Sequence, residues 1–324
     1  MQNFPCLLEC FEDTPLKSDE TVFVSGDQYF EAVLTDIGAA RRSIEMESYI
    51  FKADGLGRRV VEALRKAAGR GVNVRILLDG FGTPPWEHHP FNAENGSSSP
   101  LPDNLTVRSY HPPSRFDLIN RRNHRKMIAI DSEIVYAGGI NVDSRYLSEV
   151  YGKAAWQDAS VRLANSNAAQ PIIRSFESLW NSKPLPKGDD YRERIERILH
   201  AKRRVWITTP YFVPPRSLLR ALRFAAWSGI DVRILFPSFN DVFFMRWVNR
   251  LFYRYLLRAG VKVYEYLPRF LHAKTMLIDD WAVIGSTNLN HRSILHDQEL
   301  DLVLSKDRSI QTLGDWFLGE LTKS

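Results

Sequence analysis

The sequence predicts an α/β protein built of two similar halves, each a mixed sheet flanked by helices. A pseudo-two-fold axis should relate the halves and leave a functional site between them. Three observations carry this expectation. A strand–helix–strand segment occurs twice, a His-x-Lys string followed by four residues and then Asp trails each copy, and 324 residues is about two domains of chain. The halves are expected to divide as 1–182 and 183–324.

In the first copy, RRSIEMESYIF (41–51) has the β-rich apolar character of a strand. VVEALRKAAGRGVNVRILLDG (60–80) then reads as an amphipathic helix, a glycine stop and a buried strand. The second copy repeats this order as RRVWITTPYFV (203–213) and SLLRALRFAAWSGIDVRILFP (217–237), and VNVRILL aligns with IDVRILF almost letter for letter. A strand, helix and strand joined by short turns form a βαβ unit, which places a helix-covered sheet in each half.

A further apolar strand follows each unit. NHRKMIAIDSEIVYAGGIN (123–141) supplies His124, Lys126, Asp131 and Asn141, and LHAKTMLIDDWAVIGSTN (271–288) supplies His272, Lys274, Asp279 and Asn288. One such string is weak, because short patterns arise by chance. Two in register within a duplicated unit are strong. Residues at i and i+2 of a strand share a face, so each His projects with its Lys. Each Asp lies five positions past its Lys, on the opposite face of an alternating strand. A structural role at the strand end therefore stays open beside a catalytic one.

Two imidazoles and two ammonium groups converging at an interface suit a phosphodiester, which gains negative charge in its transition state. One imidazole can attack phosphorus to give a phosphohistidine, splitting one displacement into two. The other can protonate the leaving oxygen and later deprotonate the incoming alcohol or water. The lysines would clamp the non-bridging oxygens and the asparagine amides would donate to them. This scheme needs no metal and no cofactor.

On these residues the chain resembles the phospholipase D superfamily, defined by a duplicated HKD motif, from about Val22 to Leu304. Within it the sequence is most similar to bacterial cardiolipin synthases without transmembrane helices, through ESYIF (47–51), RGVNVRILLDG (70–80), NHRK (123–126), GGIN (138–141), TPYFVP (209–214), GSTN (285–288) and RS (292–293). The resemblance implies a phosphatidyl transferase with His124 as nucleophile and His272 as general acid. It also implies phosphate binding by Lys126, Lys274, Asn141 and Asn288, and a carboxylate behind each histidine, for which Asp158 and Glu299 are the candidates. Asp131 and Asp279 enter the catalytic set with the motif. The implied substrate is a phospholipid such as phosphatidylglycerol, the implied product cardiolipin, and the implied place the inner face of a bacterial membrane, in the cytoplasm. Hydrolysis to phosphatidic acid uses the same residues. A nuclease or a non-catalytic membrane scaffold accounts less well for two complete motifs in one chain. His296 and Asp297 depart from the family pattern, which leaves acceptor recognition open.

Composition sets outer bounds. Hydrophobic residues at 44% and charged residues at 25% exclude wholesale disorder. A net charge of +5 favours anionic partners, an anionic membrane surface among them, and no obligate protein partner is evident. Cys6 and Cys10 are too few for a disulfide framework or a four-cysteine zinc site, which favours a reducing compartment. No run of about 18 apolar residues is present to span a bilayer. The Pro-, Gly- and Ser-rich stretch 81–104 reads as a long loop, either a cover for the cleft or a surface insertion. His88 and His89 within it lack further ligands, so a metal there is not expected. NDVFFMRWVNRLFYRYLLRAG (240–260) reads as a basic aromatic helix capped by Asn240 or Asp241. Its arginines, at every fourth position from 246 to 258, suit an anionic bilayer surface, a solvated face over a core, or single-stranded nucleic acid.

Overall fold

The computed structural model describes residues 19–84, 89–91, 100–112, 114, 118, 120–164, 169–183, 185, 190–242 and 244–324. Cys6, Cys10, His88 and much of the 81–104 loop lie outside the described residues. The first half runs β1 (Asp19–Phe23), α1 (Gly26–Ala39), β2 (Ser43–Ser48), α2 (Gly55–Gly69), β3 (Asn73–Asp79), β4 (Leu105–Tyr110), β5 (Met127–Ile130), β6 (Ile134–Gly138), α3 (Ser148–Tyr151), β7 (Ser160–Ala164) and α4 (Ala169–Trp180). The second runs α5 (Asp190–Leu199), β8 (Arg204–Thr208), α6 (Arg216–Trp227), β9 (Asp231–Pro237), α7 (Met245–Leu257), β10 (Lys262–Tyr266), β11 (Thr275–Ile278), β12 (Trp281–Gly285), α8 (His291–Leu295), β13 (Asp301–Leu304) and α9 (Asp307–Leu321).

The two sheets repeat one another. The first has the order β1-β7-β6-β5-β2-β3-β4 and the second β13-β12-β11-β8-β9-β10, so among the described residues the second sheet has counterparts of every strand but β1. Within each, the βαβ strands pair in parallel and the motif hairpin pairs antiparallel. α2 owes its place to buried Val60, Val61, Leu64, Ala67 and Ala68, spaced to line one face. Asp54 starts this helix by accepting from Gly57 N at 3.0 Å, a cap worth about 1 kcal/mol. The helix-to-strand turns are closed by Gly71 (φ 98°) and Gly229 (φ 85°), equivalent positions in the left-handed region that glycine tolerates.

One apolar core lies against α1 and α2 of the first half, and another between the second sheet and α6 and α7. A third joins the halves, with Met127, Ala137, Val161 and Phe176 from one side and Leu277, Ile284, Leu302 and Trp316 from the other. This shared core fixes the two sheets face to face and holds the two motifs in register. It removes apolar surface that either half alone would expose to water.

The structure corrects one local expectation. α7 starts after Phe244, not at Asn240 or Asp241. Asn240 instead accepts from Val242 N at 3.0 Å, and Asp241 accepts from the Tyr211 hydroxyl at 2.5 Å.

Candidate active site

His124 and Lys126 lie just before β5, and His272 and Lys274 occupy the equivalent segment before β11. Each segment is stitched to the other half through its backbone. His124 N donates to Gln298 O at 2.9 Å, and Gln298 N donates to Arg122 O at 2.8 Å. His272 N donates to Gln157 O at 2.7 Å, and Gln157 N donates to Phe270 O at 2.8 Å. The residue after each glutamine is a carboxylate, so this bridge delivers an acid from one half to the imidazole of the other.

The carboxylates are therefore exchanged. His272 Nδ1 lies 2.7 Å from Asp158 Oδ2, and His124 Nδ1 lies 3.0 Å from Glu299 Oε2. An ionised carboxylate only accepts, so each Nδ1 carries the hydrogen and each Nε2 keeps its lone pair. Ser286 secures Glu299, its hydroxyl donating to Oε2 at 2.5 Å. The equivalent position in the first half is Gly139, where a Cβ would lie 2.2 Å from Asp158 Oδ1. This difference explains why one motif ends in GGIN and the other in GSTN.

Burial dominates the electrostatics. It lowers the His272 pKa to about 4, with Lys274 adding to the effect and Asp158 opposing it. Burial also lowers His124, against the pull of Glu299 and with help from Lys126 and Lys274. The lysines are depressed by the same cause, Lys126 to about 7 and Lys274 to about 8. For Asp158 burial acts to raise the pKa, but Lys274 and His272 outweigh it and hold it below the usual value. Lys274 thus acts on both histidines and on Lys126, which makes the two motifs one electrostatic unit.

Lys126 Nζ donates to the backbone O of His124 at 2.5 Å, and Lys274 Nζ does the same to His272 O. Lys274 Nζ also lies 3.0 and 3.1 Å from the two ring nitrogens of His272. Asn141 and Asn288 are both buried. Asn141 Oδ1 accepts from Ile50 N at 3.1 Å and its amide nitrogen is 3.4 Å from the Tyr146 hydroxyl.

Three tyrosines at the site escaped the sequence reading. Tyr146 places its hydroxyl 3.1 Å from His272 Nδ1. Tyr49 packs edge-on to His124 with ring centroids 5.0 Å apart, and Tyr211 stands 6.3 Å from His272 in the same way. Tyr49 and Tyr211 fall within ESYIF and TPYFVP, at matching places of the repeat, so their signal was present as a repeat position. The two motifs rest on different floors. Under the first, Asn123 donates to Glu47 at 2.7 Å and to Asp79 at 2.8 Å, while buried Arg125 donates to Ser175 at 2.7 Å. Under the second lie apolar Phe270, Leu271 and Ala273. Asp297 serves the floor of the first motif, accepting from Arg122 N at 3.2 Å.

The motif aspartates Asp131 and Asp279 do not join the imidazoles, and their contacts are those of the structural role left open beside the catalytic one. Asp131 (φ 55°) and Asp279 (φ 50°) begin the hairpin turns after β5 and β11, in the left-handed region that Asp tolerates better than most residues. Asp131 accepts from the backbone N–H of Arg41, Arg42 and Ser43 at 2.9, 2.6 and 3.0 Å. Asp279 accepts from Lys202, Arg203 and Arg204 at 2.7, 2.8 and 3.1 Å. Each carboxylate thus anchors the start of the neighbouring antiparallel strand, β2 for Asp131 and β8 for Asp279. Burial acts to raise the Asp131 pKa, but these amides outweigh it and hold it below the usual value. Its stabilising contribution is therefore present above the ordinary carboxyl range and fades as pH falls through the lowered value. Asp131→Asn should cost about 1–2 kcal/mol in urea unfolding at neutral pH, with the deficit closing in acid and with chemistry at the imidazoles unchanged. Lost reactivity at full stability would return Asp131 to the catalytic set.

Among the described residues no group of three His, Cys, Asp or Glu side chains is placed to hold a metal ion. No described helix is long and apolar enough to cross a membrane.

Comparison with known proteins bears on the family and the fold. A family model described as "Cardiolipin synthase, PLD-like domain" matches residues 33–180 and 195–320. The chain is 34% identical to cardiolipin synthase B of Salmonella typhi, over 90% of this chain and 77% of that protein. It is 30% identical to a cardiolipin synthase of Listeria welshimeri, over 94% of this chain and 69% of that protein. Among solved structures, a phosphatidylserine synthase of Haemophilus influenzae superposes with a TM-score of 0.73 at 15% identity, covering 93% of this chain and 86% of that one. That last likeness concerns the fold.

Proposed function

The chain belongs to the phospholipase D-like family of cardiolipin synthases, and from that premise we propose that it is a phosphatidyl transferase making cardiolipin from phosphatidylglycerol. The observation that carries the reading is the crossed arrangement of His124 with Glu299 and His272 with Asp158, flanked by two lysines at one interface. In this scheme His124 Nε2 attacks the phosphorus of phosphatidylglycerol, forming the P–N bond as the P–O bond to glycerol breaks. His272 gives its proton to the departing alkoxide, and glycerol leaves. A hydroxyl of a second phosphatidylglycerol then loses its proton to His272 and attacks phosphorus. The P–N bond breaks, its electron pair returns to His124, and cardiolipin is released.

Charge supports these roles. In the empty site burial and Lys274 keep His272 neutral. A phosphodiester anion sets its charge against Lys126 and Lys274 and favours the imidazolium that the first step requires. Lys126, Lys274 and the amides of Asn141 and Asn288 would hold the non-bridging oxygens. Because lipid is both donor and acceptor, the enzyme would work as a peripheral protein at an anionic membrane surface, on the cytoplasmic face of the bacterial membrane.

The experiment that tests this is incubation with labelled phosphatidylglycerol and resolution of the products. Cardiolipin and free glycerol are expected. Phosphatidic acid as the sole product would make the enzyme a hydrolase, and no product would end the reading.

The lowered lysine values also set a pH profile. A lysine holding phosphate must be charged, so affinity for the phosphodiester should fall as pH rises through about 7 to 8, where Lys126 and Lys274 lose their protons. His124 must be neutral to attack, so the acid limb should fall below the ordinary histidine value of about 6.5. An alkaline limb beyond about pH 10, the range of an unperturbed lysine, would contradict the buried-lysine account.

A further inference from the structure

The outer surface of α6 and α7 gathers exposed aromatic and aliphatic side chains. On α7 the ridge Phe244, Trp247, Leu251 and Tyr255 points outward, with Trp247 62% and Leu251 76% exposed. The opposite face, through Asn249, Phe252 and Leu256, supplies the packing against the core, so the ridge is surplus to folding. On neighbouring α6, Phe224 and Trp227 are also exposed. The two patches are continuous, because the Arg223 guanidinium lies 4.5 Å from the Trp227 ring and 4.0 Å from the Tyr255 ring.

The charge on these helices has one sign. α6 carries Arg216, Arg220 and Arg223, α7 carries Arg246, Arg250 and Arg254, and neither contains Asp or Glu. Arg250 is taken up by Glu265 through contacts of 2.9 and 2.8 Å. Arg216, Arg220, Arg254 and Arg258 are exposed around the apolar ridge. The buried face of α7 reaches the site. Asn249 accepts from Phe212 N at 3.0 Å and donates to Pro210 O at 3.1 Å, holding the loop that sets Tyr211 beside His272.

We propose that the α6–α7 face is the membrane seat of the enzyme, with Phe244, Trp247 and Leu251 at the headgroup–acyl boundary and the surrounding arginines on anionic lipid phosphates. This deepens the phosphatidyl-transfer reading and rests on it for the identity of the lipid. Apolar and aromatic side chains ringed by unopposed arginines are what an interfacial helix needs. A second copy of the chain would set arginines against arginines, which costs affinity. Leu251, the most exposed of the ridge, neither stacks on a base nor hydrogen-bonds, so a nucleic acid gains little from it. The acyl region of a bilayer is the occupant that rewards it.

The test uses Trp247→Ser with Leu251→Ser, and separately Arg220→Gln with Arg254→Gln, in sedimentation with vesicles of phosphatidylglycerol and phosphatidylcholine. The serine pair should lose at least about tenfold in partitioning. The glutamine pair should lose the salt-sensitive part of binding and approach the wild-type affinity for pure phosphatidylcholine. Turnover of a short-chain phosphatidylglycerol, monomeric in solution, should stay at the wild-type rate in the serine pair while turnover in vesicles falls with binding. Unchanged partitioning of the serine pair would overturn the seat. So would a change in oligomeric state without loss of vesicle binding, or an oligonucleotide held by this face as tightly as the vesicles. If wild-type protein turned over neither form of phosphatidylglycerol but still bound vesicles through the ridge, the seat would stand and the proposed reaction would fall.

Discussion

His124→Ala is expected to abolish transfer, lowering turnover by on the order of 10⁴-fold or more, and to remove any covalent phosphoenzyme. The physical ground is that the His124 Nδ1–H is held by Glu299 at 3.0 Å, which leaves Nε2 as a directed lone pair. A phosphorus–nitrogen bond is labile in acid and survives alkali, so labelled phosphatidylglycerol should mark wild-type protein under an alkaline quench and leave the variant unlabelled. The variant should fold, because the His124 backbone contact to Gln298 does not use the ring, and its urea midpoint checks this. A normal quantity of alkali-stable adduct on the variant would transfer the nucleophile's role elsewhere, with His272 the first place to look.

What the sequence made legible follows from the range of the interactions involved. The strand–helix–strand repeat, the placement of His with Lys and the conjunction of two motifs depend on periodicity and on a duplication visible in the letters. The sheets accordingly share one order of six strands. β1 went unread because five residues with one buried side chain carry little pattern, and their place is set by β7, far along the chain. The pairing of carboxylates was illegible for a similar reason. Asp158 and Glu299 stood out as candidates, yet the contacts span 114 and 175 residues and cross between halves, and no local rule assigns one acid to one imidazole. Asp131 and Asp279 were legible in part, because their five-residue offset from each Lys already kept a structural role open. Their recurrence in register invited a chemical role, whereas what recurs is a left-handed hairpin turn whose carboxylate collects three amides. A duplicated residue shows that both halves need it, and folding is as common a need as chemistry.

The crossed carboxylates lead to the second large effect, in which Asp158→Asn and His272→Ala should behave alike. Asp158 is buried against His272 Nδ1 at 2.7 Å, and its charge opposes the combined influence of burial and Lys274 on that imidazole. Asparagine keeps the shape but removes the charge, and its amide can turn a donor toward Nδ1 and favour the wrong tautomer. Either substitution should lower turnover of phosphatidylglycerol by about 10²–10⁴-fold, the range for general acid–base catalysis. The first half-reaction should recover when glycerol is replaced by a leaving group such as p-nitrophenol, which departs without a proton. The second half-reaction should remain slow, because its alcohol still lacks a base, so phosphoenzyme should accumulate on His124. Glu299→Gln should give the reverse pattern, a slow first step that a better leaving group only partly rescues and little adduct at any time. That contrast is what distinguishes an acid–base histidine from a nucleophilic one across an interface that looks nearly symmetric. Equal rescue of Asp158→Asn and Glu299→Gln by p-nitrophenol would mean that the two imidazoles exchange roles and that the crossed arrangement does not set the direction of the reaction.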